Sequence, residues 1–153
     1  MSEIPYQELC RQLVHACNDA IIYSDRFGTI QLWNSGAEQM LGFSAEEAIG
    51  QSLDIFIPEN LRARHWEGYF KVMETGSTRY AKELLAAPAI CKGGTRISTE
   101  FSMTIIRDAE GEITGTAAVI RDVTARWQKE KAFRVRLAEL EKQVSAGLQE
   151  LPA

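Results

Sequence analysis

Asn34-Ser35-Gly36-Ala37-Glu38-Gln39-Met40-Leu41-Gly42-Phe43-Ser44-Ala45-Glu46-Glu47-Ala48-Ile49-Gly50 is the stretch whose reading decides the fold. It holds two short helices rather than one long one. Gly36 to Leu41 forms the first, ended by Gly42, which is free to take the left-handed conformation that closes helices. Ser44 to Ile49 forms the second. Ser44 is placed as its N-cap, Glu47 completes a capping box, and Gly50 ends it. Helices this short survive when one side packs on something larger, which implies a sheet beneath them and an α+β fold.

Sheet signals lie on both sides of this stretch. Upstream, Ala20-Ile21-Ile22-Tyr23-Ser24-Asp25 is an apolar β-type run, Arg26-Phe27-Gly28 a turn, and Thr29-Ile30-Gln31-Leu32-Trp33-Asn34 alternates apolar with polar. Together they predict a hairpin. Before it, Tyr6 to Asn18 carries Leu9, Leu13, Val14 and Cys17 near helical spacing and predicts an amphipathic N-terminal helix.

Downstream, Leu53 to Ile57 is a third short helical piece before Pro58. A longer helix is predicted from Asn60, its N-cap, to about Glu74, stopping at Thr75-Gly76. It sets Leu61, His65, Tyr69 and Val72 along one stripe. Three strands follow: a weak one around Tyr80 to Ala89, a strong one from Arg96 to Arg107 and a last one from Ile113 to Arg121. Lys92-Gly93-Gly94 and Asp108 to Glu112 supply the turns. In the strong strand Ile97, Thr99, Phe101, Met103 and Ile105 share one face, the period of two of a half-buried sheet.

From Ala125 the composition shifts to Arg, Lys, Glu, Gln, Ala and Leu. Phe133, Leu137, Leu140 and Val144 are spaced alternately four and three apart, as a coiled-coil seam requires. The seam is under three heptads, and Gly147 and Pro152 weaken its end, so a homodimer through the terminal helices is expected to draw on the domain surface as well. The expected organisation is an N-terminal helix over 1–19, an α+β domain over 20–124 and a C-terminal helix over 125–153.

A chain of 153 residues, 45% of them hydrophobic, accommodates one core. No apolar run of membrane-spanning length and no signal-peptide pattern at Met1-Ser2-Glu3-Ile4-Pro5 is present, which points to a cytoplasmic soluble chain with no membrane contact. A net charge of -4 argues against direct nucleic-acid binding. Cys10, Cys17 and Cys91 are odd in number and unrelated in spacing, so neither a disulfide framework nor a zinc site is indicated. His15 and His65, the two histidines, lie on separate predicted helices. No Ser/His/Asp or paired-carboxylate set emerges, and an enzyme is not expected.

The order strand, strand, three short helices, long helix, three strands resembles the PAS family. The Asn34 to Gly50 stretch looks like its core signature, and Arg121-Asp122-Val123-Thr124 like the Asp-x-Thr exit into a signalling helix. The resemblance covers roughly residues 8 to 126. Within it, Ile57-Pro58-Glu59-Asn60-Leu61-Arg62-Ala63-Arg64-His65 and Thr75-Gly76 are similar to haem-binding PAS sensors of the FixL type. The resemblance implies haem b with His65 as proximal iron ligand and a diatomic gas or redox state as signal. Tyr69, Leu84, Leu85, Phe101, Met103 and Val119 would line the pocket, and Arg121, Asp122 and Thr124 would carry the change to the last helix and on to a partner or output domain.

Two departures from that pattern bear on the signal. FixL-type sensors carry an arginine on the strand after the histidine helix, and the matching position falls at or beside Leu85, where Glu83-Leu84-Leu85-Ala86 offers none. Bound oxygen would lose a charge-assisted hydrogen bond there while carbon monoxide would lose little, which favours carbon monoxide, nitric oxide or redox state. Met103 stands where these sensors use aliphatic residues, either as a sixth iron ligand or as core filling. Flavin photochemistry is not expected, since Arg64-His65-Trp66 replaces the reactive-cysteine motif. A histidine on an apolar stripe also packs without any metal. The alternative is therefore a haem-free interaction module whose pocket holds side chains or a small organic ligand. A haem enzyme is disfavoured, because an inferred apolar pocket offers nothing to cleave an O–O bond.

Overall fold

Alternation of inward and outward side chains builds the sheet. The structure, a computed structural model, describes residues 3–78 and 83–150. β1 (Ala20–Asp25) turns Ala20, Ile22 and Ser24 into the interior, and β2 (Ile30–Trp33) returns antiparallel to it with Ile22 opposite Trp33. The turn between them is held by Asp25, whose Oδ1 accepts from the N–H groups of Phe27 and Thr29 at 2.9 and 3.0 Å. β3 (Leu85–Ile90), β4 (Arg96–Arg107) and β5 (Ile113–Asp122) complete a five-stranded antiparallel sheet in the order β2-β1-β5-β4-β3. The last strand thus lies in the middle, paired with β1 on one side and β4 on the other.

The helices between the second and third strands cover one face of the sheet. α1 (Tyr6–Ala16) stops two residues before the predicted Asn18, because Cys17 is already extended, and none of its residues is buried. α2 (Ser35–Leu41) is capped by Asn34, and Gly42, at φ 81°, bonds back to Glu38. In α3 (Ala45–Ala48) both bonds of the Ser44–Glu47 capping box are present. The predicted helix from Leu53 to Ile57 is a single 3-10 turn, Leu53–Ile55, with Ser52 accepting from Asp54 N–H.

α4 (Glu59–Thr75) does not use Asn60 as its cap. Pro58 precedes it with φ -53°, no side chain caps it, and Leu61 N–H bonds the Pro58 carbonyl. Proline's fixed φ suits a helix start, and Glu59 adds a carboxylate at the positive end of the helix dipole. The weak strand begins at Leu85; Tyr80, its predicted start, lies outside the described residues. α5 (Thr124–Gln149) starts one residue before the predicted Ala125.

The chain divides into a unit of residues 1–122 and a second of residues 123–153, which contains α5. The core of the first gathers Ile22, Ile30, Trp33, Leu41, Tyr69, Met73, Ile97 and Ile120. At its edge Asn34, fully buried, accepts at Oδ1 from Ile21 N–H (2.8 Å) and Ala37 N–H (2.9 Å). Its Nδ2 donates to the Val14 carbonyl at 2.8 Å and the Asp19 carbonyl at 3.0 Å. One side chain thus joins α1, β1 and α2. No helix among the described residues is long and apolar enough to cross a membrane.

Candidate functional site

Between the helices and the inner face of the sheet lies a cavity of about 160 Å³. Leu61, His65 and Tyr69 face it from α4, four residues apart and so on one stripe. Leu41, Leu53, Phe56 and Ile57 close one side. The sheet supplies Ile22 and Ser24 from β1, Ala87 to Ala89 from β3, Thr99, Phe101 and Met103 from β4, and Thr116, Ala118 and Ile120 from β5. The walls are almost entirely carbon.

His65 is the principal titratable group in this lining. Its ring packs on Trp66 at 4.8 Å and Tyr69 at 5.8 Å between centroids, and its buried Nδ1 has no hydrogen-bond partner. Burial pushes its pKa below the ordinary histidine value, opposed in part by the Asp54 carboxylate. The imidazole is therefore held neutral, the form that binds a metal. Trp66 braces it from outside the cavity. Its Nε1 donates to Asp54 Oδ1 at 2.8 Å, and its ring lies where a Cβ on Gly28 would sit, 2.1 Å from Cη2.

Sequence reasoning overlooked the polar corner of the cavity. Ser24 and Thr116 face each other across the β1–β5 pairing, and the Ser24 hydroxyl hydrogen-bonds the Tyr69 phenol at 2.9 Å. The phenol pKa is raised by burial, with the Ser24 bond acting against it. The signal was available in the strand period. Ser24 continues the inward series Ala20 and Ile22, and Thr116 the inward series Ile120 and Ala118, so both are polar residues at apolar positions.

His65, Tyr69, Phe101 and Met103 stand around this one cavity, whereas Leu84, Leu85 and Val119 do not line it. Leu84 precedes β3 and is 65% exposed. Leu85 sits opposite Phe101 on the inner face but outside the lining. Val119 pairs with Ile21 and Ser102 and is 41% exposed, since the inward positions of β5 are its neighbours Ala118 and Ile120. β3, from Leu85 to Ile90, carries no cation. Of the exit residues, Arg121 grips Asp19 with two bonds of 3.0 and 2.8 Å, Asp122 lies opposite Thr99, and Thr124 opens α5.

The donor chemistry suits a haem in one respect and restricts it in another. No cluster of three or more His, Cys, Asp or Glu able to hold a bare ion occurs among the described residues, so iron at His65 needs a macrocycle that brings its own nitrogens. A neutral imidazole with an unpaired nitrogen among apolar walls fits that role. The cavity volume is close to that of an engineered protein cavity that admits benzene, roughly 150 Å³. A porphyrin therefore requires α4 and the sheet to stand further apart.

A five-stranded antiparallel sheet closed on one face by short helices around an apolar cavity defines a small α+β domain. The family model described as PAS fold matches residues 8–123, and the chain belongs to the PAS family. It is 32% identical to Sensor protein FixL of Bradyrhizobium diazoefficiens over 136 residues, covering 88% of this chain and 25% of that protein. It is 30% identical to Oxygen sensor protein DosP of Escherichia coli over 110 residues, 71% of this chain and 14% of DosP. The chain thus spans a quarter or less of these relatives' length. Among solved structures, the PAS domain of a protein from Colwellia psychrerythraea superposes with a TM-score of 0.69 at 22% identity, covering 79% of this chain and 99% of that one.

Proposed function

We propose that this PAS sensor domain binds haem b through His65 and reports a diatomic gas or redox state through the helix that follows its sheet. The observation that carries the reading is the half-buried His65 ring on an apolar cavity, neutral and with its buried Nδ1 unpartnered. Likeness to two sensor proteins, one of them an oxygen sensor by name, supports it. Bound haem would supply an iron able to take a gas or change oxidation state.

The chain's own residues then do the rest. Trp66 and Tyr69 orient the imidazole, and Met103 on β4 is the candidate for a sixth ligand. The absence of a cation on β3 favours carbon monoxide, nitric oxide or redox state over oxygen. β5 leads from the cavity to Arg121, Asp122 and Thr124, and the terminal helices pair two copies and meet the output partner. The role is sensory rather than catalytic.

Absorption spectra after haem supplementation, oxidised, reduced and reduced with carbon monoxide, test the reading. A Soret band that moves with carbon monoxide and vanishes in His65→Ala is expected. A wild type without stoichiometric haem, or a variant that binds it equally, sinks it. The cavity volume of about 160 Å³ favours a second reading, a haem-free module whose cavity takes a small organic ligand.

A further inference from the structure

α4 carries two neighbouring stripes. Leu61, His65 and Tyr69 face the cavity, while Arg62 and Trp66, each one residue further on, converge on Asp54 in the 3-10 turn. Trp66 Nε1 donates to Asp54 Oδ1 at 2.8 Å, and Arg62 Nε stands 3.8 Å from the same oxygen. The Arg62 guanidinium also donates to the backbone carbonyls of Ile57 at 3.1 Å and Asp54 at 3.2 Å. Asp54 is held in turn. Its N–H donates to Ser52 Oγ at 3.2 Å, and the neighbouring Leu53 N–H donates to the Gly28 carbonyl in the β1–β2 turn at 3.1 Å. A continuous set of bonds therefore runs from the hairpin turn through the 3-10 turn to the second stripe of α4. Successive residues of a helix stand about 100° apart around its axis, so fixing the bearing of Trp66 fixes that of His65 beside it. Trp66 meets the imidazole edge to face at 4.8 Å and is itself backed by Phe70, stacked at 5.6 Å.

We propose that Asp54 is a positioning residue for His65, acting through the Trp66 indole: its carboxylate oxygen anchors α4 against rotation and so sets the edge that the imidazole turns to the cavity. The role lies in the acceptor oxygen rather than in the charge, because the Asp54 side chain is 37% exposed and water screens it. Its purpose rests on His65 being the iron ligand, but the orientation of the ring is set in the haem-free chain as well.

Three variants separate the parts of this anchor. Asp54→Asn keeps the acceptor oxygen and removes the charge, Asp54→Ala removes both, and Trp66→Phe removes the donor while keeping a ring. In the whole haem-free chain the imidazole C–H signals of His65 are read by NMR and identified by their loss in His65→Ala. Ring currents of Trp66 and Tyr69 are expected to displace them from the position of an exposed histidine. That displacement should persist in Asp54→Asn and shrink in both Asp54→Ala and Trp66→Phe. After haem supplementation, release of haem to excess apomyoglobin is expected to be about tenfold faster in Asp54→Ala and in Trp66→Phe, and close to wild type in Asp54→Asn. The Asp54→Ala/Trp66→Phe double variant should release it no faster than either single one, because all three lose the same bond. Imidazole signals that stay in place in Asp54→Ala or in Trp66→Phe overturn the proposal. So does an Asp54→Asn that behaves as Asp54→Ala, which would make the charge the active part. A wild type with no His65-dependent Soret band sinks the haem reading alone, since the NMR comparison is made without haem.

Discussion

At the scale of single residues, His65 couples the site to stability. Its pKa is lowered by burial, so in the range between that lowered value and the ordinary one near 6.5 the unfolded chain holds a proton that the folded chain does not. Stability is then complete above about pH 6.5, the usual histidine value, and declines as pH falls through the folded value. Urea midpoints of the haem-free chain measured from pH 7.5 to 5 should drop more steeply in wild type than in His65→Gln; parallel curves would show that burial does not hold the ring neutral. Asn34 makes a larger structural contribution. Asn34→Ala strands buried N–H groups of Ile21 and Ala37 together with the carbonyls its amide serves, and at roughly 1–3 kcal/mol per orphaned group the expected loss is about 3 kcal/mol. A urea melt checks it. The stripe of α4 was legible in the sequence, because a four-residue spacing places Leu61, His65 and Tyr69 together without knowledge of the partner. Val119 was misplaced by one position, and on a strand one position is the other face of the sheet.

At the scale of elements, glycines separate packing from propensity. Gly36 opens α2 so close to the chain before β1 that an added Cβ would lie 2.2 Å from the Asp19 carbonyl oxygen, a backbone atom that cannot swing aside. Gly68, in the interior of α4, meets nothing within 4 Å. Gly36→Ala is therefore expected to lower the thermal midpoint sharply, whereas Gly68→Ala should raise stability by about 0.5–1 kcal/mol from helix propensity alone. Equal effects of the two substitutions in a melting experiment would contradict the placement of α2. The same contrast explains which elements could be drawn from sequence. α3 and the β1–β2 hairpin announce themselves through local chemistry, the Ser44–Glu47 box and the Asp25 turn, and local chemistry is readable one residue at a time. The ends of α1, α4 and β3 are set instead by what the chain must reach next. Cys17 turns extended as its neighbours meet Asn34, and α4 starts at Glu59 because Pro58 has already fixed the backbone there.

At the scale of the whole molecule, the apolar side chains left in water bear on assembly. α5 exposes Phe133, Leu137, Leu140 and Val144, and α1 exposes Leu9 and Leu13. A solitary helix with such a stripe is marginal in water, and its stability comes from pairing. The four-three-four spacing supplies a seam for a second copy, and the Arg126–Glu130 and Arg136–Glu139 pairs lie along the helix surface, where they add solubility more than affinity. A signal leaving the sheet through Thr124 would then act on two helices at once, and a short coiled coil that shifts register or crossing angle is a two-state element of the kind transmission needs. Sedimentation velocity at micromolar concentration is expected to show a dimer for the wild type and a monomer for Leu137→Glu/Leu140→Glu. The variant should lose helical circular dichroism while the melting of the sheet unit stays within a few degrees, because residues 1–122 form a contact unit of their own. A monomeric wild type would leave α5 without a partner copy and shift the search to a different chain. A variant that remains dimeric would move the interface to the apolar face of α1.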